Sequence, residues 1–324
     1  MAKKFYPEAF QGKLSKRVYY EGWYNKIVNK KADKIIAFIP TIALNQKHKS
    51  SHAFIQIFDG ITGLTKYIKY NLNDFQNLSN TDFKLKIANN FFSSRGFSVD
   101  INQEYFRING KIQYIKPVLW PKTRLQPGIM GVLTYLPLLE TYHGIISMNH
   151  YLKGFLEING EKINFNEGKG YLEKDWGTSF PKAYIWAQTN HFSDDLLSFV
   201  FSLALVPILN YQILGFFCVI WHQGIFYKFT TYTGAKIRSF TFNNDYIKII
   251  IEGKKFLLFI TIYMKESKFS NLAAPNSGVM SSQIVETINS TIKIKLVDKY
   301  SKKVILKDYG KHAGLDLNNL EKLH

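Results

Sequence analysis

Apolar and polar residues alternate in short runs along this chain. Ser239-Phe-Thr-Phe242, Tyr246-Ile-Lys-Ile249 and Thr291-Ile-Lys-Ile-Lys-Leu296 each put apolar side chains on one face of a strand. Turn pairs punctuate the runs: Asp59-Gly60, Asn109-Gly110, Asn159-Gly160 and Glu252-Gly253. The two Asn-Gly pairs lie between apolar runs and predict tight hairpins. Long amphipathic helical windows are scarce, and only Asp316 to His324 reads as a short terminal helix. From Leu196 to Trp221 no residue is charged. That length would suffice for a membrane-spanning helix. Its middle carries Pro207, Asn210 and Gln212, however, and its flanks, Phe199-Val-Phe201 and Phe216 to Trp221, are β-branched and aromatic. The segment therefore predicts a hairpin of two buried strands, and the chain reads as all-β, built from barrels or sandwiches.

An internal repeat organises these strands. Trp23 and Trp186 are separated by the same interval as Phe58 and Trp221 (186 − 23 and 221 − 58 both give 163). A polar turn and an apolar strand follow each member of the first pair. A turn and a Tyr/Lys-bearing strand follow each member of the second. Two similar β-units in tandem are predicted, an N-terminal one over residues 1–155 and a C-terminal one over 156–324.

Composition narrows the class. A chain of 324 residues is comfortable for two domains. Its 16% aromatic content excludes a disordered chain. The single cysteine, Cys218, excludes an intramolecular disulfide and a cysteine-built metal site. Lys plus Arg number 42 against 24 Asp plus Glu, a formal charge of +18. The cations occur as doublets such as Lys30-Lys31 and Lys302-Lys303 rather than in long runs. A solvated surface and attraction to an anionic membrane are both open, whereas nucleic-acid binding would rest on charge alone. No apolar leader follows Met1, so the expected location is cytoplasmic or peripheral on a membrane.

The segment from Gly170 to His191 is densest in candidate chemistry. On a strand, Glu173 and Asp175 project to one face and Lys174 to the other. Two carboxyls on one apolar face do not both ionise easily, so one keeps a proton and can serve as an acid. A carboxylate capping backbone amides at the Gly177 turn is the bland alternative. Tyr184, Trp186, Gln188 and Asn190 share the next strand's face, which suits either a barrel core or an apolar ligand with a polar head. The eight histidines include no pair with helical metal-ligand spacing. No metal site is expected from them, and structural or pocket roles are favoured; neither a phosphate loop nor a serine elbow is present, so nucleotide chemistry and serine hydrolysis are not expected.

In order along the chain come Tyr20-Glu-Gly-Trp-Tyr-Asn-Lys26, His52-Ala-Phe-Ile-Gln-Ile-Phe-Asp-Gly60, Trp120-Pro121, Pro127-Gly-Ile-Met-Gly131, Glu140-Thr-Tyr-His-Gly-Ile-Ile-Ser-Met148 with Asn149-His150, Gly170-Tyr-Leu-Glu-Lys-Asp-Trp-Gly177, Ser179-Phe-Pro181, Trp186-Ala-Gln-Thr-Asn-His-Phe192, Phe229-Thr-Thr-Tyr-Thr-Gly-Ala-Lys236, Ala274-Pro275, Gly278-Val-Met280 and Ala313-Gly-Leu315. In these pieces, from about Arg17 to Leu317, the sequence resembles the tocopherol cyclase family, relatives of the carotenoid 1,2-hydratases. It departs from them at Thr178, where many relatives carry a basic residue, at Tyr184, where Trp is expected, and in lacking the plant members' transit peptide.

The resemblance implies two lipocalin-like β-barrel halves. It also implies cofactor-free chemistry on isoprenoid chains: an alkene is protonated and the cation is captured by a phenol oxygen or by water. Asp175 matches the position of the proton donor, with Glu173 holding its pKa up. Asp175 is expected to point into the second half beside Trp186. Trp176, Trp186 and Tyr184 would stabilise the cation through their ring faces. Gln188, Asn190 and His191 would hold the polar head, and Trp23, His52, His143 and His150 complete the candidate substrate-binding set. The partner expected is an apolar or prenylated small molecule. A non-catalytic lipid-binding protein on the same barrels is the rival reading.

Overall fold

The computed structural model describes residues 2–137, 139–208, 211–265 and 267–323. Asn210, Leu209 and His324 lie outside the described residues. Strands run in chain order as β1 Val18–Val28, β2 Ile35–Asn45, β3 His52–Asp59, β4 Thr65–Tyr70, β5 Phe75–Asn77, β6 Lys84–Ile87, β7 Asn90–Ser93, β8 Gly96–Gln103, β9 Phe106–Ile115, β10 Thr141–Ile158 and β11 Glu161–Asn164. They continue as β12 Lys169–Gly177, β13 Tyr184–Thr189, β14 Leu197–Ile208, β15 Tyr211–His222, β16 Ile225–Thr230, β17 Lys236–Phe242, β18 Tyr246–Glu252, β19 Phe256–Tyr263, β20 Ser270–Asn276, β21 Val279–Asp298 and β22 Val304–Asn318. The remaining elements among the described residues are short 3-10 turns, as the alternating pattern and the lack of helical periodicity require.

The strands form two sheets. One has the order β4-β3-β2-β1-β12-β10-β9-β8-β7-β6-β5, with β11 paired to β10. The other has the order β16-β15-β14-β13-β22-β21-β19-β18-β17, with β20 paired to β21. The order repeats: four strands read backwards, then one long-range strand, then a descending run. Each sheet curls over its own apolar core. In the first, Trp23 of mid-sheet β1 stacks on Phe83, just before β6 near one end of the sheet, with centroids 5.2 Å apart. Phe38, Ile42, Leu85, Phe92, Ile108 and Leu172 share that core. In the second, Ile185, Phe199, Cys218, Ile249, Ile260, Ile294 and Leu315 do the same. This is the two-half lipocalin-like architecture.

The compact units are Met1–Asp59 with Leu64–Phe180 and Leu272–Gln283, and Gly60–Gly63 with Pro181–Asn271 and Ile284–His324. The main division falls at Phe180, later than the residue 155 read from the sequence. The reason is β12, which pairs on one side with β1 and on the other with β10 and so completes the first sheet. The repeat holds at the level of strands: β1 and β13, and β3 and β15, occupy matching places in the two orders. It does not hold for the tryptophans themselves. Trp23 belongs to the first core, whereas Ile185 and Ala187 face the second core and leave Trp186 on the opposite face of β13.

Two other readings resolve differently. Asn159-Gly160 turns between β10 and β11, with φ of +50° and +87°, as a tight hairpin requires. Asn109-Gly110 lies within β9 instead. A Cβ on Gly110 would stand 2.3 Å from the Phe155 carbonyl of β10, so this glycine permits a close strand approach rather than a turn. Leu197 to His222 is the expected hairpin, with β14 and β15 paired antiparallel from Leu197↔His222 to Ile208↔Tyr211, but the start of β15, Tyr211 to Leu214, is exposed rather than buried. Of the terminal helix expected over Asp316 to His324, only Leu320–Lys322 forms among the described residues, as a single 3-10 turn, while Asp316 to Asn318 ends β22.

Candidate active site

The face of β12 that carries Glu173 and Asp175 follows from packing. Leu172 and Trp176 enter the first apolar core, so Tyr171, Glu173 and Asp175 point to the opposite face of the sheet. Their strand belongs to the first sheet, not to the second half as expected from the earlier boundary. Gly177 closes β12, and a Cβ there would lie 2.1 Å from the Glu140 carbonyl, which fixes the strand end against the start of β10.

Register brings a third group to the carboxylates. His143 of β10 lies directly across from Asp175. Its Nδ1 is 2.7 Å from Asp175 Oδ1 and its Nε2 is 3.0 Å from Glu173 Oε2. The imidazole therefore bridges the two acids. Burial opposes a charge on His143, but the carboxylates of Glu173 and Asp175 outweigh it and raise its pKa to about 10. The proton that the sequence reading assigned to one of two crowded carboxyls is held at neutral pH on the ring between them. Tyr171 donates to Glu173 Oε2 at 2.5 Å. Tyr20 pairs with the Thr141 hydroxyl. Burial, and then the charge of Asp175, hold the Tyr20 phenol well above its usual pKa, and burial with Glu173 does the same for Tyr171. Across β1 from Asp175 stands Gly22, which puts no side chain beside the carboxylate. Asp175 keeps 30% of its side chain exposed while Glu173 keeps 4% and His143 11%, so Asp175 is the member a ligand can reach.

One ligand atom from each of His143, Glu173 and Asp175 lies within 4.8 Å of the others, a spacing that a metal ion could use. Both ring nitrogens face carboxylates, however, and the raised pKa favours a proton over a metal on the imidazole, since a metal ligand must be neutral.

The other face of β12 is occupied by a buried ion pair. Lys174 binds Glu21 and donates to the Ala9 carbonyl at 2.7 Å. Glu21 also accepts from Tyr19 at 2.5 Å and from the Gln11 and Gly12 amides. The Lys174 ammonium lies 4.8 Å from the Trp23 ring and 4.5 Å from the Trp176 ring. Trp176 also stacks on Tyr142. Trp23 and Trp176 are therefore core residues on the face away from Asp175. His150 is likewise internal. It packs at a tilt against Tyr114 with centroids 4.0 Å apart, its Nδ1 meets the Ser147 hydroxyl at 3.0 Å, and burial lowers its pKa to about 3. His52 shares the Asp175 face but stands three strands away on β3, between the Ser50 carbonyl and the Tyr67 hydroxyl.

Tyr184, Trp186, Gln188, Asn190 and His191 belong to the second unit. Tyr184, Trp186 and Gln188 share the face of β13 opposite the second core, and Tyr184 donates to Asp316 Oδ2 at 2.9 Å. Asn190 and His191 follow the strand, with His191 bridged to Lys311. Sequence reasoning named Asp175, Glu173 and His143 but missed Tyr20, Tyr171 and the His143 bridge. Alternation along β12 points to Tyr171, while the bridge depends on a cross-strand register that spacing does not reveal.

The tocopherol cyclase-like family matches residues 102–318, which include His143, Glu173 and Asp175 and most of the second unit. The chain belongs to the tocopherol cyclase-like family. A protein of Oryza sativa subsp. japonica named "Probable tocopherol cyclase, chloroplastic" is 24% identical over 269 residues, 68% of this chain and 57% of that protein. The chain thus spans a little over half the length of that relative. Among solved structures, a protein of Nitrosomonas europaea assigned as AttH superposes with a TM-score of 0.54 at 12% identity, covering 97% of this chain and 96% of that one. Kievitone hydratase from Nectria haematococca gives 0.50 at 11% identity, covering 97% and 94%. At such identities the likeness is one of fold.

No helix among the described residues is long and apolar enough to cross a membrane.

Proposed function

We propose that the protein is an acid catalyst of alkene protonation on a prenylated, largely apolar substrate, closing a ring or adding water. The observation that carries this reading is the buried His143 held between Glu173 and Asp175, with Asp175 the exposed end. An aspartic acid left to itself is almost fully ionised at neutral pH and cannot protonate an alkene. Here a proton is stored on His143 beside it. The imidazolium passes that proton to Asp175, whose carboxyl delivers it to the less substituted alkene carbon. The tertiary cation is captured by a phenol oxygen of the same molecule or by water. That oxygen's proton returns to the cluster, so the product is an isomer or a hydrate and nothing is oxidised. Glu173, anchored by Tyr171, keeps the imidazolium in place as a positioning residue. The Tyr20 ring borders the developing cation.

Trp186, Tyr184 and Gln188, all of the second unit, remain candidates for binding an apolar ligand on that unit. The excess of 42 Lys and Arg over 24 Asp and Glu suits a peripheral station on an anionic membrane. The test is incubation with prenylated hydroquinones in D2O, followed by mass spectrometry. A product carrying one deuterium on carbon is expected. A folded protein that binds these lipids and turns over none of them would establish the non-catalytic reading instead.

A further inference from the structure

The β14–β15 hairpin outruns both of its neighbours. Strand β13 stops pairing at Tyr184↔Ala204, and β16 stops at Phe217↔Thr230. Beyond those rungs, among the described residues, the two strands pair with each other through Leu205↔Leu214, Val206↔Ile213, Pro207↔Gln212 and Ile208↔Tyr211, with one further backbone bond from the Leu205 N–H to the Ala183 carbonyl. Tyr211 is 75% exposed, Ile213 45% and Leu214 37%. A bare two-stranded ribbon is marginal in water, and one with apolar side chains exposed is an aggregation hazard that charged residues usually blunt. This one has no charged residue anywhere from Leu196 to Trp221. The missing charges are what insertion among lipid headgroups requires, because each buried charge would oppose it. The exposed tyrosine suits the same boundary, where an aromatic ring meets apolar chains and its hydroxyl stays wet.

The electrostatics of the root point to one kind of surface. Exposed Lys182 precedes Ala183, whose carbonyl accepts the Leu205 N–H. A cation therefore stands where the ribbon leaves the sheet, on a chain whose formal charge is +18. We infer that the β14–β15 tip, through Val206, Pro207, Tyr211, Ile213 and Leu214, inserts into the headgroup region of an anionic lipid surface, with Lys182 against the phosphates. This deepens the membrane part of the proposed function and rests on that part alone. The acid chemistry is tested separately with substrate delivered in detergent.

The experiment is co-flotation of the whole protein with vesicles of phosphatidylcholine alone or with about a third phosphatidylglycerol. Strong binding to the anionic vesicles is expected, and Ile213→Asp with Leu214→Asp should weaken it at least tenfold while leaving the thermal midpoint and detergent-phase turnover unchanged. Lys182→Gln should weaken anionic binding about fivefold, the usual weight of a single cation near such a surface, without altering any residual binding to neutral vesicles. Wild-type protein that stays behind with anionic vesicles overturns the inference. So does a double variant that floats as well as wild type, or one whose only change is the loss of a dimer.

Discussion

The two sheets share a strand order and differ at their centres. In the first, β12 carries charge on both faces: Lys174 with Glu21 in the core, and Glu173 and Asp175 with His143 on the opposite face. In the second, the matching strand β22 turns Ala313 and Leu315 into the core. Its other face has Asp316 directly across from Glu286, both buried, with Tyr184 donating to the aspartate. Duplicated topology has thus been filled in two ways. Where an imidazole lies between two acids, the cluster holds a proton as a cation. Where two acids face each other beside a phenol, there is no cationic store among these three side chains. We therefore propose that proton delivery belongs to the first sheet.

The largest effect should separate the sheets by activity. Asp175→Asn is expected to lower turnover by about 10²–10⁴, the usual range for a lost general acid, with lipid binding and melting nearly unchanged. Asp316→Asn should lower it less than tenfold. Rate measurements on both variants with one prenylated hydroquinone decide between them, and equal losses would erase the division of labour drawn here.

Stability should separate the core faces next. Lys174→Met leaves Glu21 buried without its cation and should cost about 3–5 kcal/mol in urea unfolding. Glu21→Leu combined with Lys174→Met should recover most of that loss, because two apolar groups of similar size replace the pair. A double variant as unstable as the single one would mean that the N-terminal segment, tied to Glu21 through Gln11 and Gly12, depends on the charge itself.

A smaller effect should appear in the pH dependence of folding. His143 in the folded protein has a pKa raised from 6.5 to about 10. Its contribution to stability is therefore fully present below pH 6.5 and lost as pH rises toward about 10. Melting curves of wild type and His143→Gln should converge over that window. Parallel curves would show that the imidazole is not held as a cation. The smallest effect expected is from Gly22→Ala, whose new Cβ would meet the Thr41 hydroxyl at 2.7 Å on the neighbouring strand β2. A loss of about 1 kcal/mol is expected in urea unfolding, as for a modest core overpacking, and an unchanged unfolding free energy would show that Thr41 gives way.

Alternation, Asn159-Gly160 and the uncharged run from Leu196 to Trp221 were enough to establish strands and two hairpins, because a strand's side chains reach opposite faces by local geometry alone, and the equal Trp23–Trp186 and Phe58–Trp221 intervals pointed to the repeated strand order. The same alternation separated Glu173 and Asp175 from Lys174. It could not say which face was the core, and so Trp23 and Trp176 were counted as pocket residues when they pack against a buried ammonium. Nor could it say that Asn109-Gly110 would run straight through β9, since the need for glycine there comes from the Phe155 carbonyl of another strand. Membership of β12 in the first sheet, and the meeting of His143 with both acids, were decided only in three dimensions. Cross-strand register is fixed by which side chains fill a shared core, and bulges in β10 between Ile145 and His150 shift it locally. A proton store made of one residue from β10 and two from β12 exists only once that register is set.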